Sequence, residues 1–573
     1  MRINGHAHIF SLNSVLSKYA IRIVVTRINE KGLPAFVGDA VEKLLNDQMK
    51  YPENLTEDEL LDRFIGYIAG SAAVKKIIPK QFNLPFGIQL PGSKKRVRRL
   101  KRAALQATLD RLSSNFDTGA EAEATIRDVF QTLRIAMLPS ATHVAARLFE
   151  EASPGEIMVA LMMDITSEKT ATADKALFLR QMKETSEAAV AYPGRIIPFV
   201  AVNTRRDNYY ELMCRGIEEH GFAGIKLYPS LGIEVISDRM KRVFDYCLDK
   251  DLPILLHCNL GGFKENDASV EFGNPAHWRD ILKERPKLRV CFAHAGGTDQ
   301  GPMKKNGPAK GDWTHTVQEL ITKYDQVYMD ISYHTDQMLN EEHEKNYLKW
   351  LKSVLKDDKL KKRVIFGTDG WLLRLNLPDS LYMNWFENRL SEAEMKLIYE
   401  KAPAEYLGLP VNGQKTMRGN IRNLVEYLDA QPSVGGQPAE WLISVSESSY
   451  AIRRRNAGWS PNNHIHLLAR AFFRSSYMTA PQKALDFEET GDLLMRQLTW
   501  WNREQVSDTV FRNDRRNVAL RLISLCEGSG LLYEEGYAKN LALDKIAELL
   551  GDESKTIADV GITLDSMFRV QAE

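Results

Sequence analysis

The chain has 573 residues, 44% of them hydrophobic, enough to bury a large core and to form more than one domain. Its 76 basic and 75 acidic side chains leave a formal charge of +1, so no global field favours nucleic acid or an anionic membrane. No stretch approaches ~18 uninterrupted apolar residues, so no membrane-spanning helix is expected.

Short apolar runs recur along the first 400 residues. In order they are Arg2–Phe10, Ile157–Ile165, Arg195–Val202, Ala223–Tyr228, Pro253–His257, Leu288–Ala293, Val327–Ile331 and Val364–Gly367. From the second run onward they start about 30 to 40 residues apart, the size of a strand-plus-helix unit. Most are continuous rather than alternating, as strands covered on both faces should be. The stretches between them carry helical patterns, as at Lys175–Ala191, Arg239–Asp249 and Glu344–Lys356. Eight such strands with crossover helices predict an α/β fold, a (β/α)8 TIM barrel formed by residues 1–28 and 156–409.

Two regions break the rhythm. Residues 29–155 are too long for one connection and read as a helical insertion after the first strand. It contains helical patterns at Thr56–Ala69 and Lys101–Ser113, with the first barrel helix expected at Ala120–Arg134. Its basic run Lys94–Arg102 is read as a solvated helical face, because no aromatic residue interrupts it for base stacking. Residues 410–573 read as a C-terminal, mostly helical domain. Its helical pieces are Asn420–Leu428, Leu467–Tyr477, Leu485–Trp501, Asn517–Glu527 and Leu541–Leu550, with a linker-like stretch at Gln431–Pro438.

The five cysteines, Cys214, Cys247, Cys258, Cys291 and Cys526, are scattered and form no C-x-x-C pair. A disulfide framework is not expected, and a reducing cytoplasm fits. Met1 runs almost directly into the first strand, without the basic and apolar regions of a secretory leader. Cys258 and Cys291 lie near two candidate histidines, and strand alternation is expected to turn both thiols away from them.

The residues that carry chemistry fall at the ends of the apolar runs, where barrels of this kind build their active sites. His6 and His8, two apart on a strand, share one face. Lys226 lies in Gly224–Pro229, and His257, His294 and Asp369 end Ile254–His257, Val290–His294 and Val364–Asp369. Imidazoles with a carboxylate suit zinc first, with manganese or iron(II) as alternatives. Such a cation acidifies a bound water, and Asp369 can take the proton and later return it to the leaving group. His294 can hold a second metal or stabilise a developing oxyanion. Tyr228, Asn259, Asp330, Ser332, Trp371 and Arg374 are further candidates for the pocket lining. His464 and His466 repeat the H-x-H spacing at a helix start, where i and i+2 diverge.

In order, these motifs resemble the amidohydrolase superfamily: H-x-H on strand one, Lys on strand four, His on strands five and six, Asp on strand eight. Residues 221–229, 290–297 and 366–370 look most like its amidohydrolase-related branch. That branch holds hydrolases, metal-free lactonases and non-oxidative decarboxylases. In dinuclear members the strand-four lysine is carboxylated and bridges two metals; in mononuclear ones His6, His8, His257 and Asp369 would suffice and Lys226 would bind substrate. The resemblance therefore implies one or two divalent metals per chain.

The expected function is metal-dependent hydrolysis of an amide, lactone or ester bond in a small substrate. Lys304, Lys305 and Lys310, after the sixth strand, point to an anionic one. Non-oxidative decarboxylation uses the same ligands and stands as the alternative. A barrel kept as a scaffold has no physical need for convergent histidines. The C-terminal helices leave room for a homo-oligomer or protein partner; no nucleic acid or membrane partner is expected.

Overall fold

The structure is a computed structural model that describes residues 2–30, 33, 35–51, 57–71, 126–152, 156–297, 303, 307–338, 341–375, 379–410 and 417–431. The predicted helix Lys101–Ser113, the basic run Lys94–Arg102, Lys304, Lys305, His464, His466, Cys526 and the four helices expected after residue 431 lie outside the described residues.

Eight parallel strands stand side by side in chain order. They are β1 (Ile3–Ala7), β2 (Ile157–Leu161), β3 (Ile196–Ala201), β4 (Gly224–Leu227), β5 (Ile254–Leu256), β6 (Val290–Phe292), β7 (Val327–Asp330) and β8 (Val364–Ile365). Each lies within one of the expected apolar runs. Every strand residue is buried, which is why the runs are continuous. The last gap, between β8 and β1, is bridged by the Gly5 N–H donating to the Phe366 carbonyl at 2.8 Å. A side chain at position 5 would prevent that approach, since its Cβ would stand 2.4 Å from Ile365 Cγ2. This is the eight-stranded α/β barrel expected from the sequence.

Among the described residues, five α-helices stand between β1 and β2: α1 (Lys18–Glu30), α2 (Ala35–Lys50), α3 (Glu57–Gly70), α4 (Ile126–Ala136) and α5 (Ala141–Glu151). The first three pack in sequence, α1 on α2 and α2 on α3. Helix α4, which overlaps the segment expected to be the first barrel helix, lies instead against the turn Gly370–Leu375 that follows β8. Helix α5, just before β2, takes the place beside the next barrel helix. Its row Val144, Ala145 and Leu148 is buried.

The helices after β2 to β7 alternate with the strands as expected: α6 (Lys175–Ala191), α7 (Tyr209–His220), α8 (Asp238–Asp249), α9 (Trp278–Glu284), α10 (Trp313–Lys323) and α11 (Glu341–Lys356). Helix α8 is representative. Ser237 caps it by accepting the Met240 N–H, and Met240, Val243, Phe244 and Cys247 are buried at i, i+3, i+4 and i+7. After β8 come α12 (Asp379–Arg389), α13 (Glu392–Lys396), a π turn, α14 (Ala402–Leu407) and α15 (Gly419–Asp429), the last packing on α7.

Alternation divides the core. Ile254, Leu256, Val290, Phe292, Val327 and Met329 pack in one cluster with the outer helices. Leu255, Cys291, Tyr328 and Ile365 belong to the other cluster. Lys226 pairs in register with Leu255, Leu255 with Cys291, and Cys291 with Tyr328, so these four share the inner face. Cys291 therefore faces the barrel interior, contrary to expectation. The count from His294 fails because β6 ends at Phe292 and the chain turns before His294. Among the described residues, no helix is long and apolar enough to cross a membrane.

Candidate metal centre

The C-terminal ends of the strands bring His6, His8, Lys226, His257, His294 and Asp369 into one buried group. His6 Nε2 and His8 Nε2 stand 3.0 and 3.2 Å from the same oxygen, Asp369 Oδ1. Lys226 Nζ lies 3.3 Å from His6 Nε2, and His294 Nε2 lies 3.2 Å from His257 Nδ1. Donor atoms of His6, His294 and Asp369 all fall within 4.8 Å of one another. His257 sits at the margin of that trio, with Nε2 at 3.1 Å from the Gly261 carbonyl.

Strained backbone delivers several of these groups. His294, Ala295, Tyr333 and Asp369 have φ of 56°, 50°, 56° and 69°, all at the ends of β6, β7 and β8. Such conformations cost of order 1–3 kcal/mol each for non-glycine residues and persist only where surrounding bonds impose them. Here they do: the Asp369 and Thr368 N–H groups both donate to the His6 carbonyl, at 2.8 and 3.1 Å. Asn4 ties the same seam, donating to Thr368 Oγ1 at 2.9 Å and accepting the Thr368 N–H at 3.1 Å.

Burial and the fixed charges set the protonation states. Burial pushes His8 down to about 4 and Lys226 down to about 8. Burial and the neighbouring His294 hold His257 well below the usual imidazole range, and burial also lowers His294. At His6, burial and Lys226 press downward, but Asp330 and Asp369 outweigh them and raise it. Asp369 stays well below the usual carboxylate range: burial opposes ionisation, yet His6 and His8 together prevail.

The donor set fits a cation. His8 Nδ1 is 3.0 Å from the Leu161 carbonyl, which can only accept, so Nδ1 carries the proton. That leaves Nε2 as a bare lone pair, buried and without a hydrogen-bond partner, facing Asp369 Oδ1. Two acceptors held at 3.2 Å repel unless a positive charge joins them. Two imidazoles and a carboxylate are a ligand set for zinc, manganese or iron(II).

A small cavity of about 30 Å³ adjoins the group, lined by Tyr228, His257, Asn259, His294, Tyr333 and Asp369 together with Arg27 of α1. That is room for an ion or a water or two. The larger surface clefts, of about 710 and 600 Å³, include none of these residues. Asn259 Oδ1 is buried there without a hydrogen-bond partner among the described residues. Trp371 and Arg374 do not line the cavity: Trp371 donates to the Phe10 carbonyl at 3.2 Å, and Arg374 pairs with Asp379 at 3.3 Å. Lys310 is exposed. Arg27 was not picked out from the sequence; it sits in the last turn of α1, and only the packing of α1 beside the strand ends brings it to the pocket.

Residues 146–409 match the family model described as Amidohydrolase. No curated protein matches the chain. Among solved structures, an uncharacterised TIM-barrel protein from Bordetella bronchiseptica is 16% identical, with 49% of this chain and 89% of that one covered at a TM-score of 0.35. The 2,6-dihydroxybenzoate decarboxylase from Rhizobium is 12% identical, with 46% and 87% covered at a TM-score of 0.33. The 4-oxalomesaconate hydratase from Rhodopseudomonas palustris is 12% identical, with 71% and 95% covered at a TM-score of 0.34.

Proposed function

The barrel of this chain belongs to the amidohydrolase family, and from that premise we propose that the protein is a metal-dependent hydrolase of a small, anionic substrate. The observation that carries this reading is the bare Nε2 of His8 turned on Asp369 Oδ1. His6, His8 and Asp369 would hold one divalent cation, zinc first, with His257 completing the set. His294, and Lys226 if carboxylated, would serve a second. The cation, when bound, supplies a Lewis acid and lowers the pKa of water in its shell toward ~7.

The remaining work falls to side chains. Asp369 takes the proton of the attacking water and passes it to the leaving group of the amide, lactone or ester. Lys226, when not carboxylated, stands beside His6, where its protonated ammonium can hold a substrate oxyanion. Arg27 and the unpartnered Asn259 Oδ1 orient the substrate from the pocket wall. An ion pair of 2.8 Å between Glu30 and Lys264 joins α1 to the loop after β5 beside this pocket.

Non-oxidative decarboxylation of an unsaturated or aromatic acid is the second reading. The aromatic side chains of Tyr228, Phe263 and Tyr333, which line the same cavity as Arg27, favour it. The domain division 1–28 with 156–409, 29–155 and 410–573 belongs to the same proposal, as do a cytoplasmic location and an oligomer or partner contact through the C-terminal helices. Free thiols at Cys214, Cys247, Cys258 and Cys291 support that location.

The test is elemental analysis of protein purified without chelators. One or two equivalents per chain are expected. None, even after zinc or manganese is added, would overturn the proposal. Released carbon dioxide, against a split or ring-opened product, decides between the two reactions.

A further inference from the structure

Asp330, at the end of β7, is fully buried and surrounded by donors. Its Oδ1 accepts the main-chain N–H of His294 at 3.0 Å, the N–H of Ser332 at 3.0 Å and the Ser332 hydroxyl at 2.5 Å. Its Oδ2 stands 2.9 Å from His6 Nδ1. The carboxylate can only accept, so His6 must carry a proton on Nδ1, and in the neutral ring that leaves Nε2, 3.0 Å from Asp369 Oδ1, as the lone pair open to a cation.

The same logic reaches His294 through Ser332. The Ser332 hydroxyl hydrogen is committed to Asp330, and its oxygen lies 3.0 Å from His294 Nδ1. The Ser332 carbonyl, an obligate acceptor, lies 3.1 Å from the same nitrogen. His294 Nδ1 must therefore donate, and its Nε2 is also bare. These two Nε2 lone pairs, with Asp369, make up the close trio of donor atoms.

We propose that Asp330 is a positioning residue that sets the tautomers of His6 and His294 together, directly at one and through Ser332 at the other. One buried carboxylate thereby aims two imidazoles from β1 and from the turn after β6. His294 in this state is a ligand or proton acceptor and not an oxyanion donor. The inference rests on reading the trio as a cation site.

The test uses the full chain, wild type against Asp330→Asn and Ser332→Ala. An asparagine can still accept the main-chain N–H groups through Oδ1, but its amide donates where Oδ2 accepted. His6 should then flip, placing a hydrogen on Nε2. Titration with zinc or manganese alone should give about 10- to 100-fold weaker binding for Asp330→Asn, the range for lost outer partners of metal-binding histidines. Ser332→Ala should fall less. Nitrogen NMR of the histidine rings in metal-free protein gives a second readout: Nδ1–H forms at His6 and His294 in wild type, and an Nε2–H form at His6 in Asp330→Asn.

Equal affinity of wild type and a folded Asp330→Asn would overturn the inference, as would an Nε2–H form at either histidine in the wild type. If Asp330→Asn does not fold, the wild-type ring spectrum alone decides. If the wild type binds no metal, the cation reading fails, while the ring spectrum still judges the role of Asp330.

Discussion

Tyr228 lies flat against His257, with ring centroids 4.0 Å apart and planes 10° from parallel. Its hydroxyl accepts the main-chain N–H of Phe263 at 3.0 Å. The end of β4 thus braces both a candidate ligand and the loop beyond it. Tyr228→Phe keeps the stack but orphans a buried N–H, and should cost about 1–3 kcal/mol in urea unfolding with metal affinity unchanged. Tyr228→Ala should also loosen metal binding, because His257 loses its wall. Unaltered metal binding in Tyr228→Ala would separate His257 from the centre.

Asp369→Asn retains shape and removes the charge that joins His6 and His8. Bound metal should be lost, and turnover should fall by at least about 10²–10⁴-fold, the usual share of a positioned proton carrier. His6→Ala should behave alike, with far-ultraviolet circular dichroism unchanged in both. Wild-type activity in purified Asp369→Asn would remove it from the mechanism.

Acid should destabilise this protein through histidines before carboxylates. Burial holds folded His334 down at about 3, against about 6.5 for an unfolded histidine. Between those values the unfolded chain binds the extra proton, so stability is complete above about pH 6.5 and declines as pH falls toward 3. His8 adds the same sign; His6, raised on folding, has the opposite one. Thermal midpoints measured from pH 7.5 down to 4.5 should fall steadily, and less steeply in His334→Gln. Parallel profiles for the two proteins would contradict this.

Asp164 grips Arg206 through two bonds of 2.7 and 2.8 Å, both side chains buried. The pair fastens the chain after β2 to the chain after β3. Asp164→Ala strands a buried guanidinium and should cost about 3–5 kcal/mol. Replacing both residues by apolar ones should recover much of that loss in the same denaturation experiment.

Arg27→Ala should abolish protection by small aromatic carboxylates in thermal shift measurements while leaving metal content intact. In the wild type, a ligand at 100 times its Kd adds about 2.7 kcal/mol. Protection that survives in Arg27→Ala would move carboxylate recognition elsewhere.

Much of this was legible in the sequence. The continuous apolar runs reported strands buried on both faces, and the final polar residue of each run reported a strand end. That rule pointed to His6, Lys226 and His257, which lie in or directly beside a strand, and to Asp369, which follows β8 with a φ of 69° and is returned to the site by its bond to the His6 carbonyl. It misled at Cys291, because parity cannot be counted through a left-handed turn, and nothing local marks His294 as lying in one. It was silent about Arg27, whose helical neighbours look like any amphipathic surface. Asp330 and Ser332 stood out as strand-end residues, but their grip on two histidines depends on contacts across the fold, 324 positions from Asp330 to His6 and 36 to His294.

The seam between β8 and β1 has a consequence for the order of assembly. Asn4 and Thr368, which lock it, lie 364 positions apart in the chain. His6 and His8 are synthesised early, yet they meet Asp369 only when the last strand arrives to complete the ring. Contacts so distant in sequence form late, after the loop-closure entropy of the intervening chain has been overcome. An ion bridging β1 and β8 would therefore act as a clasp on the finished circle. Stripping it should open the molecule first at this join, where amide hydrogens of Gly5, Thr368 and Asp369 would exchange ahead of those in β3 and β4.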